Sequence, residues 1–192
     1  MNYQNYHKHS YYTNIRVPDS VVSYEDYAKR AVELGQKILS SVEHGWQGRY
    51  IECYELAKKY NLKFLFGTEA YYVHDRKEKD RTNTHLILLA KNENGRKAIN
   101  NILAEANISG FYFQPRIDEE LLFSLPKDDV WVTSACCGGI WRYGFEEAEK
   151  FVVKCKEYFN DNFFLEVQAH NTDKQKEIAK ETIRLKYTYN IL

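Results

Sequence analysis

The feature that most constrains this fold is an alternation of short apolar runs with longer stretches of helical period. Runs suited to strands occupy 37–41, 63–67, 85–89, 130–133 and 163–167. Helical stretches occupy 24–34, 48–60, 94–106, 145–159 and 172–186. Ser23 reads as the cap of the first helix, with Asp26 three positions on and Gly35 as its stop. Alternation of this kind implies an α/β fold of parallel strands joined by helical crossovers. An open doubly wound sheet and a closed α/β barrel both satisfy it. The chain has 192 residues, 44% of them hydrophobic, which suits one domain with one core.

Several classes are disfavoured. No apolar run approaches the roughly 20 residues needed to span a bilayer, and the opening MNYQNYHKHS lacks the plan of a secretory signal. A soluble, cytoplasmic protein without membrane partners is expected. The Gly-rich phosphate-binding signatures are absent, so a nucleotide-binding fold gains no support. Cys53 and Cys155 fall in helical stretches, Cys136 and Cys137 are adjacent, and no C-x-x-C occurs. Lys plus Arg balance Asp plus Glu at 27 each. A chain that grips nucleic acid alone shows a basic excess, so any grip on DNA would come mostly from elsewhere. The charged run 75–81, DRKEKDR, reads as a solvated loop.

The chain has six histidines, and two of them are His7 and His9. In a strand they point to the same side. That spacing suits a metal ion, and equally two half-exposed rings at a strand end. His44 follows the 37–41 run, Glu69 the 63–67 run and His170 the 163–167 run. Residues just past the carboxyl ends of parallel strands converge on one face, where sites are built. His85 opens a strand instead and falls on the opposite face, unless that strand runs antiparallel. His74 reads as a surface residue. Histidines gathered with a carboxylate suit zinc, manganese or iron, and more than one ion.

With these residues placed, the chain resembles the PHP (polymerase and histidinol phosphatase) family. Within it, the likeness is to the amino-terminal domain of bacterial and phage DNA polymerase III alpha subunits. The matching stretches are HKHS at 7–10, VEHG at 42–45, GTEAY at 67–71, THLILLA at 84–90, GFYFQPRID at 110–118, SAC at 134–136 and EVQAHN at 166–171. The resemblance implies a distorted seven-stranded βα barrel holding up to three divalent ions at one mouth. It implies His7, His9, His44, His85 and His170 as ligands, with Glu69 bridging two ions. Glu69 and His44 would be central to catalysis. Cys136 stands where the family has a His or Cys ligand; a small buried hydrophobe fits it as well. Asp19 is the candidate for an early acidic ligand, since Arg16 stands where a carboxylate is usual. Its rival role is capping the next helix. Glu43 could orient a ligand ring, and Lys8 and Arg116 could contact phosphate.

The implied activity is metal-dependent phosphoester hydrolysis, acting as or derived from a 3′–5′ exonuclease in DNA replication. One alternative is a catalytically inactive scaffold that supports a polymerase or binds a partner. Another is a small-molecule phosphatase of the histidinol phosphatase type. The whole of 1–192 reads as one PHP domain that is incomplete at its carboxyl end. The family's last strand, with its D-x-H, would be starting at 187–192, and no polymerase palm is present. DNA would be met through the rest of a polymerase, and a homodimer could cover the open seam.

Overall fold

One ten-residue strand, Lys63–Tyr72 (β2), organises the sheet in the computed structural model, which describes residues 3–192. Its first four residues pair in parallel with Ile38–Ser41 (β1). Gly67 to Tyr72 pair antiparallel with Thr84–Ala90 (β3), and Tyr71 and Tyr72 also pair in parallel with Gln114–Ile117 (β5). Phe111–Tyr112 (β4) folds back antiparallel on β5. On the other side, β3 pairs antiparallel with Val130–Thr133 (β6), and β6 pairs in parallel with Phe163–Phe164 (β7). The order is β4-β5-β2-β3-β6-β7, with β1 beside β2.

The fold is therefore mixed α/β, and the expectation of a wholly parallel sheet is corrected. The reason is local. Residues 73–83 between β2 and β3 contain no helix, and an antiparallel pair needs no crossover. The charged run sits in this loop and is mostly exposed, but Arg76 is buried, its Nη1 donating to both carboxylate oxygens of Asp118.

The helices are Tyr24–Glu33 (α1), Tyr50–Lys59 (α2), Glu93–Ile108 (α3), Glu119–Leu122 (α4), Phe145–Phe159 (α5) and Asp173–Tyr189 (α6). Ser23 and Asp26 form the expected capping box on α1. Helix α6 continues through 187–189, where a strand was expected to begin. Beyond it Ile191 is buried, and the Leu192 carbonyl accepts from the Leu165 N–H at 3.0 Å.

Strand alternation separates two environments. Ala70 and Tyr72 of β2, with Leu86 and Leu88 of β3, join Ile99 and Leu103 of α3 and Val152 and Phe159 of α5 in the main core. Burying each large side chain there stabilises by about 1.5–3 kcal/mol. Ile87 and Leu89, on the opposite face, pack with Val42 and Ala135. That second face carries the polar cluster.

Candidate metal centre

Four segments deliver the cluster. Between His7 and His9, Lys8 turns the other way, buried beside the Tyr27 ring, with Nζ donating to the Asn5 carbonyl. Burial pulls its pKa down to about 8. The N–H and hydroxyl of Ser10 donate to the buried Glu43 carboxylate, as does the Tyr24 hydroxyl at 2.8 Å. Glu43 thus anchors the backbone that follows His9; among the described residues its carboxylate makes no hydrogen bond to an imidazole of the cluster. Burial holds the Glu43 carboxyl above its usual range, although the Ser10 and Tyr24 bonds oppose this.

His44 lies where the chain extends β1 alongside Glu69: the Gly45 N–H donates to the Glu69 carbonyl, and the Glu69 N–H to the Glu43 carbonyl. Gly45 has φ +67°, and a Cβ there would come within 2.7 Å of the Tyr71 ring. Both the left-handed turn and the close approach require glycine. Glu69 stands inside β2, which runs five residues past its expected end. Because β3 is antiparallel, its second residue His85 lies opposite Tyr71, at the same end of the sheet as Glu69. The direction of β3 removes the objection that sequence reasoning raised against His85.

The Glu69 carboxylate is fully buried and four imidazoles converge on it. His9 Nε2 and His44 Nδ1 each lie 2.9 Å from Oε2; His85 Nδ1 is 2.8 Å and His7 Nε2 3.6 Å from Oε1. His44 Nε2 stands 3.3 Å from Asp19 Oδ2. Three overlapping groups have donor atoms within 4.8 Å of one another: His7, His9 and Glu69; His9, Asp19 and His44; and His44, Glu69 and His85.

Burial would push the Glu69 carboxyl up, but its contacts with His44, His7, His85 and His9 outweigh this and hold it well below the carboxylate range. Burial likewise opposes charge on His7, yet Glu166 and Glu69 push its pKa up to about 10. His44 is raised against the same penalty by Glu69 and Asp19.

The residues fit divalent ions on an observation of their own. His44 Nδ1 and Glu69 Oε2 are buried and 2.9 Å apart, yet they lack the alignment of a hydrogen bond. Two buried polar atoms left in that state are costly unless something else satisfies them. The ring orientations point the same way. His9 Nδ1 lies 2.8 Å from the Val42 carbonyl and His7 Nδ1 2.7 Å from Glu166. Each of these bonds commits Nδ1, so that Nε2, once it has given up any proton, offers its lone pair on the side of Glu69.

Other expected positions divide. Asp19 is exposed beside His44 and does not cap α1, whose cap is Ser23. Cys136 Sγ sits 3.7 Å from Glu69 and 3.9 Å from His85, its thiol pushed up to about 12 by burial and by Glu69. Ala135, just before it, is held at φ +56°. His170 is exposed and lies outside the three donor groups, but it lines an open pocket that His7 and Glu166 also line. Arg116 is buried, and its donors go to the carbonyls of Gly110, Asp80 and Arg76. It clamps the 73–83 loop, so neither it nor Lys8 is placed to meet phosphate. Sequence reasoning missed Glu166, which holds His7 and accepts from the Tyr6 hydroxyl.

Comparison with known proteins gives a consistent picture. The PHP domain model matches residues 5–170. DNA polymerase III subunit alpha of Aquifex aeolicus is 31% identical, over 94% of this chain and 17% of that protein. The Treponema pallidum subunit of the same name is 32% identical, over 96% of this chain and 16% of its own length. The chain thus spans about a sixth of these relatives. A solved structure from Bifidobacterium adolescentis, provisionally described as a metal-dependent phosphoesterase, aligns with TM-score 0.62 at 14% identity, covering 98% of this chain and 84% of its own. At that identity the likeness is one of fold. Fold, donor cluster and family match converge, and the chain belongs to the PHP domain family.

Proposed function

We propose that this chain is the PHP domain of a DNA polymerase III alpha-like protein, and that its centre hydrolyses phosphodiesters as a 3′–5′ exonuclease. The observation that carries the reading is the convergence of four imidazoles on one buried carboxylate. His7, His9, His44, His85 and Glu69 would hold up to three ions of zinc, manganese or iron, with Asp19 and Cys136 at the margin. Such ions activate water and neutralise phosphoryl oxygens when bound. Glu69 keeps the donor rings together, Glu166 and the Val42 carbonyl set the orientation of His7 and His9, and Glu43 fixes the segment carrying them. In this reading the sheet is a PHP-type barrel open between β7 and β1. DNA reaches it through the rest of a polymerase in the cytoplasm, and a second copy could cover the opening. Among the described residues, no helix is long and apolar enough to cross a membrane.

A 5′-labelled single-stranded oligonucleotide incubated with the chain and manganese or zinc tests this. Stepwise shortening from the 3′ end, absent in His9→Ala, is the expected result. The exposed position of His170, outside the donor groups, favours a second reading. There the centre binds metal for shape and the domain is a scaffold. Stoichiometric metal without cleavage would select it.

A further inference from the structure

The hairpin Phe111–Ile117 breaks a local rule. Phe111 pairs with Pro115 and Tyr112 with Gln114, so Phe113 alone forms the apex, at φ +61°. Left-handed backbone at a turn favours Gly or Asn, and a bulky side chain there is strained. The ring gains little burial in return: Phe113 is 57% and Phe111 53% exposed. Strain kept for an exposed aromatic points to something the ring touches.

Each ring carries a guanidinium. The Arg81 Cζ stands 3.8 Å from the Phe113 ring centre, and the Arg16 Cζ 5.9 Å from that of Phe111. Arg30, Arg49, Arg76, Arg96 and Arg184 all pair with carboxylates. Among the described residues, Arg16 and Arg81 form no ion pair, and the buried Arg16 Nε has no partner. The hairpin also adjoins the metal centre: β5 pairs with Tyr71, whose ring faces His44 and His85, and Pro115 packs at Gly45. Arg116 roots it from below through Gly110 and the loop that bears Arg81.

Resting on the reading above, we propose that this hairpin is a landing surface for single-stranded nucleic acid beside the centre. Bases stack on Phe111 and Phe113, and Arg16 and Arg81 meet the backbone phosphates. Exposed π-faces with unpaired cations suit unstacked bases, and duplex DNA hides those faces.

Binding of fluorescein-labelled dT20 to the full chain, in EDTA at low salt, tests the surface apart from any hydrolysis. Phe113→Gly removes the ring and relieves the turn. It should weaken binding at least about fivefold while its melting temperature stays at or above wild type; Phe111→Ala and Arg81→Ala should weaken binding as well. Unchanged binding in Phe113→Gly, equal binding of a duplex of the same length, or no wild-type binding up to about 100 µM would overturn the proposal. Because no metal is present, such a failure leaves the hydrolytic reading intact. Binding without cleavage, once metal is restored, refutes only the latter.

Discussion

The two faces of β2 and β3 are built from alternate residues of the same strands, and they obey different rules. Ala70, Tyr72, Leu86 and Leu88 face the helices and satisfy every local preference: apolar, buried and closely packed. Glu69 and His85 point the other way, into a buried group of ionisable side chains in which two close polar atoms lack hydrogen-bond alignment. Nearby backbone is strained at Ala135 and Phe113. A one-residue slip would exchange the two sets. The apolar face therefore fixes the register that the polar face needs, and the polar face gathers its ionisable groups at some cost in stability.

Leu88→Ala should have the largest effect on the apolar face. Leu88 is fully buried, and its truncation costs about 2–5 kcal/mol in chemical denaturation. The protein that remains folded should hold its full metal complement; equal loss of metal would mean that the faces are not separable. On the polar face, Glu166→Gln should weaken metal binding about 10–100-fold in competition with a chelator. The melting temperature of the metal-free protein should change little, and a large drop would make Glu166 a structural residue.

Acid sharpens the same contrast. In the metal-free protein His7 holds a proton well past neutrality, its pKa being about 10, so an ion must displace that proton. Metal affinity should then fall about tenfold for each pH unit lowered between pH 8 and 6. Affinity that is flat with pH in calorimetric titrations would remove His7 from the ligands. The smallest effect is expected at Ala135, where Gly relieves the left-handed backbone. Ala135→Gly should change stability by at most about 1 kcal/mol, and a large loss would show that the Ala135 methyl matters more than its strain.

How much of this was legible depends on the range of the interaction. His7 and His9 announce themselves by their i, i+2 spacing, although the segment that carries them is irregular and not a strand. The Ser23–Asp26 cap and helix α5 are local patterns that the structure reproduces. The position of His85 depended on strand direction, which a helix-free loop decided. Glu166 was illegible because it follows a two-residue strand and acts on a ring 159 positions away. Arg116 looked like a phosphate contact because sequence does not reveal that its guanidinium is consumed by backbone carbonyls. Phe113 could not have been placed at a hairpin apex, since turn chemistry argues against it there.

The central claim is that Glu69 and its four imidazoles hold metal. The most direct test is the metal content per chain of the purified protein by plasma emission spectrometry, alongside a His7→Ala, His9→Ala variant. At least one equivalent of zinc, manganese or iron, lost in the variant while the fold persists, is the predicted result. Wild-type protein that stays metal-free after incubation with all three ions would contradict it.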